Sequence, residues 1–106
     1  MNKQKLLASL PSVDEIKKVI KEHEDILKEK YKVKEISIFG SYVRGEAKKS
    51  SDIDILVELG DGIGLLTFIE IEEYLSDILG IKVDLVEKEG LKPRIGQNIL
   101  REAVRV

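Results

Sequence analysis

Asp52 and Asp54 stand two residues apart in the run Asp52-Ile53-Asp54-Ile55-Leu56-Val57-Glu58. Side chains of an extended chain alternate between faces, so both carboxylates project to one side while Ile53, Ile55 and Val57 project to the other. Two carboxylates this close repel each other unless a cation lies between them. Mg²⁺ suits such a place, because it takes oxygen ligands and keeps waters and phosphate oxygens in its remaining positions. Asp52 could simply open the strand. Asp54, flanked by Ile53 and Ile55, sits mid-strand, where aspartate is disfavoured. A third carboxylate, Asp84, lies in the alternating run Ile81-Lys82-Val83-Asp84-Leu85-Val86, on the face opposite Ile81, Val83 and Leu85. Alone it reads as part of the polar face of an amphipathic strand. On a neighbouring strand it could complete a two-metal site, which activates an attacking oxygen and stabilises a leaving pyrophosphate.

A second feature precedes the aspartates. Gly40-Ser41 closes the alternating stretch Glu35-Ile36-Ser37-Ile38-Phe39 and opens a polar segment. Backbone N–H groups at a strand-to-helix turn can point at phosphate oxygens, glycine permits close backbone approach, and the Ser41 hydroxyl adds a donor. An ordinary turn is the alternative.

The elements that must position these groups follow from pattern. Ser12 and Glu15 form a capping box ahead of a helix carrying Val13, Ile16, Ile20, Leu27 and Tyr31 at helical spacing, with Lys28, Lys30 and Lys32 at its end. Residues 1–12 read as a loose lead-in. After the strand over 35–39 comes one helical turn, Tyr42 to Gly45, then a polar loop over 46–51 and the strand beginning at Asp52. Gly60, Gly62 and Gly64 connect to a helix over Leu65–Leu79, with Leu65, Phe68, Ile69, Glu72, Leu75 and Leu79 as its stripe and Gly80 at its C′ position. A third strand spans Ile81–Val86. Pro93 suits the first turn of a last helix running to about Ala103, whose Ile95, Ile99 and Leu100, with Val104 after them, are either core or a partner-binding surface. This order predicts an α/β (α+β) fold: one small mixed sheet with helices on one face and Asp52, Asp54 and Asp84 on the other.

Composition sets the limits. The 106 residues suffice for a single domain over 1–106, with a modest core and little room for a large cavity. There is no cysteine, which excludes a disulfide scaffold, a zinc finger and thiol catalysis. A net charge of −2 does not favour nucleic-acid binding. No apolar run approaches a membrane span of ~20 residues, and the N-terminal stretch lacks the apolar core of a signal peptide, so a cytoplasmic location is expected. His23, the one histidine, lies beside the apolar stripe of the first helix and has no second ligand near it in sequence. It reads as a helix-surface or core-edge residue. Among the tyrosines, Tyr31 and Tyr74 read as packing residues, and Tyr42 could sit near a nucleotide. Lys48 and Lys49 read as solvated loop residues able to steer anions.

Gly40-Ser41, ten intervening residues and then Asp52-x-Asp54 resemble the signature of the polymerase-beta-like nucleotidyltransferase superfamily. The longer strings Phe39-Gly40-Ser41-Tyr42-Val43-Arg44-Gly45-Glu46-Ala47 and Ser51-Asp52-Ile53-Asp54-Ile55-Leu56-Val57 resemble its minimal subgroup, the small prokaryotic antitoxin-type nucleotidyltransferases encoded beside HEPN-domain ribonuclease toxins. The likeness extends over roughly residues 13–104. It implies that Gly40 and Ser41 hold the triphosphate of ATP and that Asp52 and Asp54 bind two Mg²⁺ ions. Asp84 would bind the catalytic ion and help activate the acceptor hydroxyl. Arg44 would either touch phosphate or pair with an acid and hold the loop. The implied reaction is transfer of AMP from ATP to a tyrosine hydroxyl of the partner toxin. Two alternatives use the same chain: a toxin-binding module without catalysis, and a small-molecule, antibiotic-type nucleotidyltransferase working with a helical subunit.

Overall fold

The computed structural model describes residues 10–106, so most of the expected lead-in lies outside the described residues. Helix α1 (Val13–Glu22) opens with the capping box: the Glu15 N–H donates to Ser12 Oγ at 3.1 Å, and the Ser12 N–H donates to Glu15 Oε1 at 2.8 Å. The sequence predicts one helix through to Tyr31. The chain instead breaks at His23 and restarts as α2 (Glu24–Glu29). The cause is local. His23 Nδ1 donates to the Val19 carbonyl at 2.8 Å, taking the acceptor that the His23 N–H would use in a continuous helix, and that N–H turns to Ile20 O instead. The ring packs edge-on to Tyr74, with centroids 5.9 Å apart, so His23 is a core-edge residue that also ends a helix.

Strand β1 (Val33–Phe39) leads through Gly40 into the four-residue helix α3 (Ser41–Arg44), and β2 (Ile53–Leu59) returns antiparallel to β1. Helix α4 (Leu65–Leu79) ends at Gly80, which takes the left-handed conformation with φ 70° that a C′ glycine supplies. Strand β3 (Val83–Glu87) then pairs parallel to β2. A single 3₁₀ turn (Lys88–Gly90), helix α5 (Pro93–Glu102) and a two-residue strand β4 (Val104–Arg105) follow, β4 pairing antiparallel to β1. The mixed sheet has the order β3-β2-β1-β4. The last strand was not expected from sequence.

One sheet face carries Ile38, Ile53, Ile55, Val57, Val83 and Leu85, all buried, against Ile16, Val19 and Ile20 of α1, Leu27 of α2 and Ile71, Leu75 and Leu79 of α4. Burying such side chains is the main favourable contribution to folding, at about 1.5–3 kcal/mol for each Leu or Ile. One expectation about the helices fails here. The buried side of α4 runs through Ile71, whereas Leu65 is 73% exposed and Ile69 40% exposed. Helix α5 is not core, since Ile95 is 58% and Leu100 48% exposed and Gly96 is its one buried residue. Side chains of α4 also reach the outer side of β3: the Val83 N–H donates to Ser76 Oγ at 2.9 Å and the Leu85 N–H to Glu72 Oε2 at 2.8 Å.

Candidate active site

The Gly-Ser turn and the aspartates converge because β1 and β2 are antiparallel neighbours. Phe39, the last residue of β1, is the register partner of Asp54, so Gly40 lies beside the Asp54 side chain. Gly40 has φ 83° and ψ −153°, a region open essentially to glycine alone. A Cβ at this position would collide with the Asp54 carboxylate. The residue must therefore be glycine twice over, for its dihedral angles and for the carboxylate against its Cα.

Ser41 opens α3, which stops after one turn at Gly45, a left-handed residue with φ 73°. The chain is turned back by a reciprocal pair of bonds, Lys48 N–H to Ser51 Oγ and Ser51 N–H to Lys48 O, each 2.9 Å. One helical turn plus this tight return is what the ten residues between Ser41 and Asp52 build. Lys48 and Lys49 sit exposed in the return. Tyr42 has its ring buried in the core, and burial, helped by the negative charge of Asp52, pushes its hydroxyl above the ordinary tyrosine value.

Asp54 and Asp84 are register partners on the parallel strands β2 and β3, and Asp52 precedes β2. Asp54 and Asp84 lie on the face opposite the helix-packed core, as the alternation predicts, and Asp52 stands near enough for its charge to act on Asp54. Asp54 is half-buried and Asp84 exposed. Burial raises the Asp54 carboxyl above its ordinary value, and the charges of Asp84 and Asp52 raise it further; Arg44 acts in the opposite sense. Lys82 Nζ lies 4.0 Å from Asp52 Oδ2, with Lys82 itself 80% exposed, so it offsets little of this charge. Among the described residues no three acidic or histidine side chains form a ready-made cation cage. Mg²⁺ does not need one. It binds through one or two carboxylates and completes its shell with water and substrate phosphates. A half-buried carboxylate destabilised by two like charges is a donor set that fits such an ion.

Arg44 makes its hydrogen bonds to two glutamates while its charge still acts on Asp54. Its Nε donates to Glu46 Oε1 and its Nη1 to Glu102 Oε1, both at 2.9 Å. Glu102 Oε2 in turn accepts the Gly40 N–H at 2.6 Å. Burial works to raise the Glu102 carboxyl, but the hydrogen bonds from Arg44 and Gly40 and the charge of Arg44 outweigh it and hold the group below its ordinary value. Glu102 is a neighbour of the site that the sequence does not announce. Its one signal is an acidic residue in the last turn of a helix, where the macrodipole disfavours negative charge. The hollows lined by Leu27, Ile36 and Val106, and by Leu59, Ile63 and Phe68, share no residue with this site.

Comparison with known proteins agrees with this geometry. Residues 20–106 match the model of the nucleotidyltransferase domain family. The protein adenylyltransferase MntA of Thermococcus cleftensis is 50% identical over 95 residues, covering 90% of this chain and 96% of that protein. A crystal structure of a toxin-antitoxin with AMP-PNP superposes with a TM-score of 0.68 at 29% identity, covering 85% of this chain and 70% of that one. The tri-AMPylated HEPN toxin of Shewanella oneidensis in complex with its MNT antitoxin gives a TM-score of 0.60 at 27% identity, over 85% of this chain and 66% of that one. With a glycine-serine turn set against Asp54 and its strand partner Asp84, and with this match over most of its length, the chain belongs to the nucleotidyltransferase domain family.

Proposed function

We propose that this chain is a Mg²⁺-dependent protein adenylyltransferase that moves AMP from ATP to a tyrosine hydroxyl of a HEPN-domain toxin and so acts as its antitoxin. The observation that carries the reading is the Gly40-Ser41 turn set against Asp54, with Asp84 its partner on the next strand and Asp52 close enough to act on its charge. The names carried by its relatives supply the acceptor class. In this reading residues 1–106 form a single catalytic domain.

In this reading the acceptor oxygen attacks the α-phosphorus of ATP, the bond to the β-phosphate oxygen breaks, and pyrophosphate leaves. Asp52, Asp54 and Asp84 would hold Mg²⁺, which when bound supplies positive charge to the phosphate oxygens and the leaving group. Gly40 lets the backbone approach the triphosphate, and the Ser41 hydroxyl donates to it. Asp84, exposed beside Asp54, receives the acceptor hydroxyl and takes its proton. The chain forms no covalent intermediate, so positioning and charge compensation carry the rate. The two ion pairs of Arg44 support its loop-holding role over direct phosphate contact.

The test is incubation of the protein with ATP, Mg²⁺ and a HEPN-domain toxin, followed by intact-mass analysis of the toxin. Addition of one or more AMP units, absent with Asp54→Asn, is the expected result. A stable complex with no mass change would overturn the catalytic reading in favour of a binding module. AMP appearing only on small-molecule acceptors would overturn the assignment of the acceptor.

A further inference from the structure

We propose that Glu102 is a positioning residue for nucleotide binding: through Gly40 and Arg44 it ties the end of α5 to the Gly-Ser turn and sets where that turn stands against the aspartates. The proposal rests on the reading above that the turn holds the triphosphate.

Both carboxylate oxygens of Glu102 are engaged, Oε2 by the Gly40 N–H at 2.6 Å and Oε1 by Arg44 Nη1 at 2.9 Å. These partners flank Ser41, one at the entrance of α3 and the other at its last residue. The carboxylate therefore spans the short helix from outside. The far end of the strut is also fixed. Immediately after Glu102 and Ala103, Val104 and Arg105 pair with Ile38 and Ser37 of β1, and the Val106 N–H donates to Ile36 O at 3.0 Å. The strand that delivers Gly40 is the same strand that anchors the residues following Glu102. Gly40 is thus constrained by β1 behind it, by the Asp54 carboxylate against its Cα, and by Glu102 on its N–H.

A bare carboxylate beside a triphosphate site would repel the ligand. Here the Arg44 guanidinium, which it shares with Glu46, offsets part of that charge and engages one of its two oxygens, so Glu102 is held on the turn rather than turned towards an incoming nucleotide. Its location in the last turn of α5 runs against helix-dipole preference, and the contacts that compensate for this all lead to the Gly-Ser turn.

The experiment measures the Kd for Mg-ATP by calorimetry, together with KM and kcat for AMP transfer, for the wild type, Glu102→Gln and Glu102→Ala. Glutamine can still accept the Gly40 N–H, but its amide presents a donor to Arg44; alanine loses both bonds. The expected result is a graded rise in the Kd and KM for ATP, reaching about tenfold in Glu102→Ala, with a smaller change in kcat. Glu102→Gln, which keeps the shape, carries the test if Glu102→Ala does not fold. Unchanged ATP affinity with only a lower unfolding midpoint would reduce Glu102 to a structural contact and refute the proposal. Tighter ATP binding in either variant would also refute it, because Glu102 would then be competing with phosphate for the Gly40 N–H. Failure of the wild type itself to bind Mg-ATP would sink the nucleotidyltransferase reading, and is distinguishable from both.

Discussion

Replacing Asp54 with asparagine should abolish transfer and at the same time stabilise the protein. Asp54 is half-buried, and its charge is opposed by burial and by Asp84 and Asp52. Adjacent strands lie ~4.8 Å apart, which puts the Asp54 and Asp84 charges at about 5 Å. Coulomb's law then gives roughly 1 kcal/mol of repulsion in a water-like medium and about 3 kcal/mol at an effective dielectric of ~20. Because Asp84 is exposed, the lower figure applies, and about 1 kcal/mol is the expected gain in the absence of metal. With a urea dependence of ~1–2 kcal/mol per molar, the unfolding midpoint should rise by about 0.5–1 M. The chain has no tryptophan, so far-UV circular dichroism in a metal-chelating buffer is the appropriate readout. The pH dependence fixes the cause. The folded-state value of Asp54 is raised, so the folded state binds its proton more tightly than the unfolded chain does. Below the ordinary value of 3.8 the group is protonated in both states and the variant has no advantage. The advantage grows as pH climbs through the raised folded value, and is complete above it. Added Mg²⁺ should stabilise the wild type more than the variant. A lower midpoint for Asp54→Asn at neutral pH, or an advantage that grows on acidification, would show that the carboxylate is satisfied by protein partners, and would refute the argument.

The two glycines flanking α3 should respond differently to alanine. Gly45→Ala meets no atom within 4 Å and bears only the left-handed conformation, costing about 1 kcal/mol by urea unfolding with transfer retained. Gly40→Ala adds a Cβ against Asp54 in a backbone region closed to other residues, costing about 3 kcal/mol and eliminating AMP transfer; equal effects of the two would contradict the close-approach argument. Ser12→Ala removes the side-chain acceptor of the Glu15 N–H while keeping the backbone N–H that bonds Glu15 Oε1, which should lower stability by about 1 kcal/mol and leave ATP binding unchanged.

The candidate site was largely legible because it is written in short-range terms. The alternation around Asp54 fixes its face, and glycine before serine at a strand end marks the turn. The bounds of α4 also follow from local signals, Gly64 before it and Gly80 after it. What stayed hidden depends on tertiary choice. The opening of α4, Leu65-Leu66-Thr67-Phe68-Ile69, is apolar almost all round, so periodicity alone cannot select which side meets the sheet. The break at His23 comes from one imidazole taking one carbonyl, an event with no sequence period. The two-residue β4 falls below the length at which alternation can be read, and Glu102 meets Gly40 across 62 positions of chain.

The bonds from β3 to α4 also bear on how this protein can meet another. A sheet edge with free N–H groups is a template on which a foreign strand can grow. Here β3 is one outer strand, and its Val83 and Leu85 N–H groups are already committed to Ser76 and Glu72. The opposite outer strand, β4, is two residues long. Among the described residues, β3 therefore does not present these two N–H groups to an added strand. The hydrogen bonds that hold α4 against β3 thus also occupy donors that an added strand would need at that edge, which disfavours edge-to-edge association there.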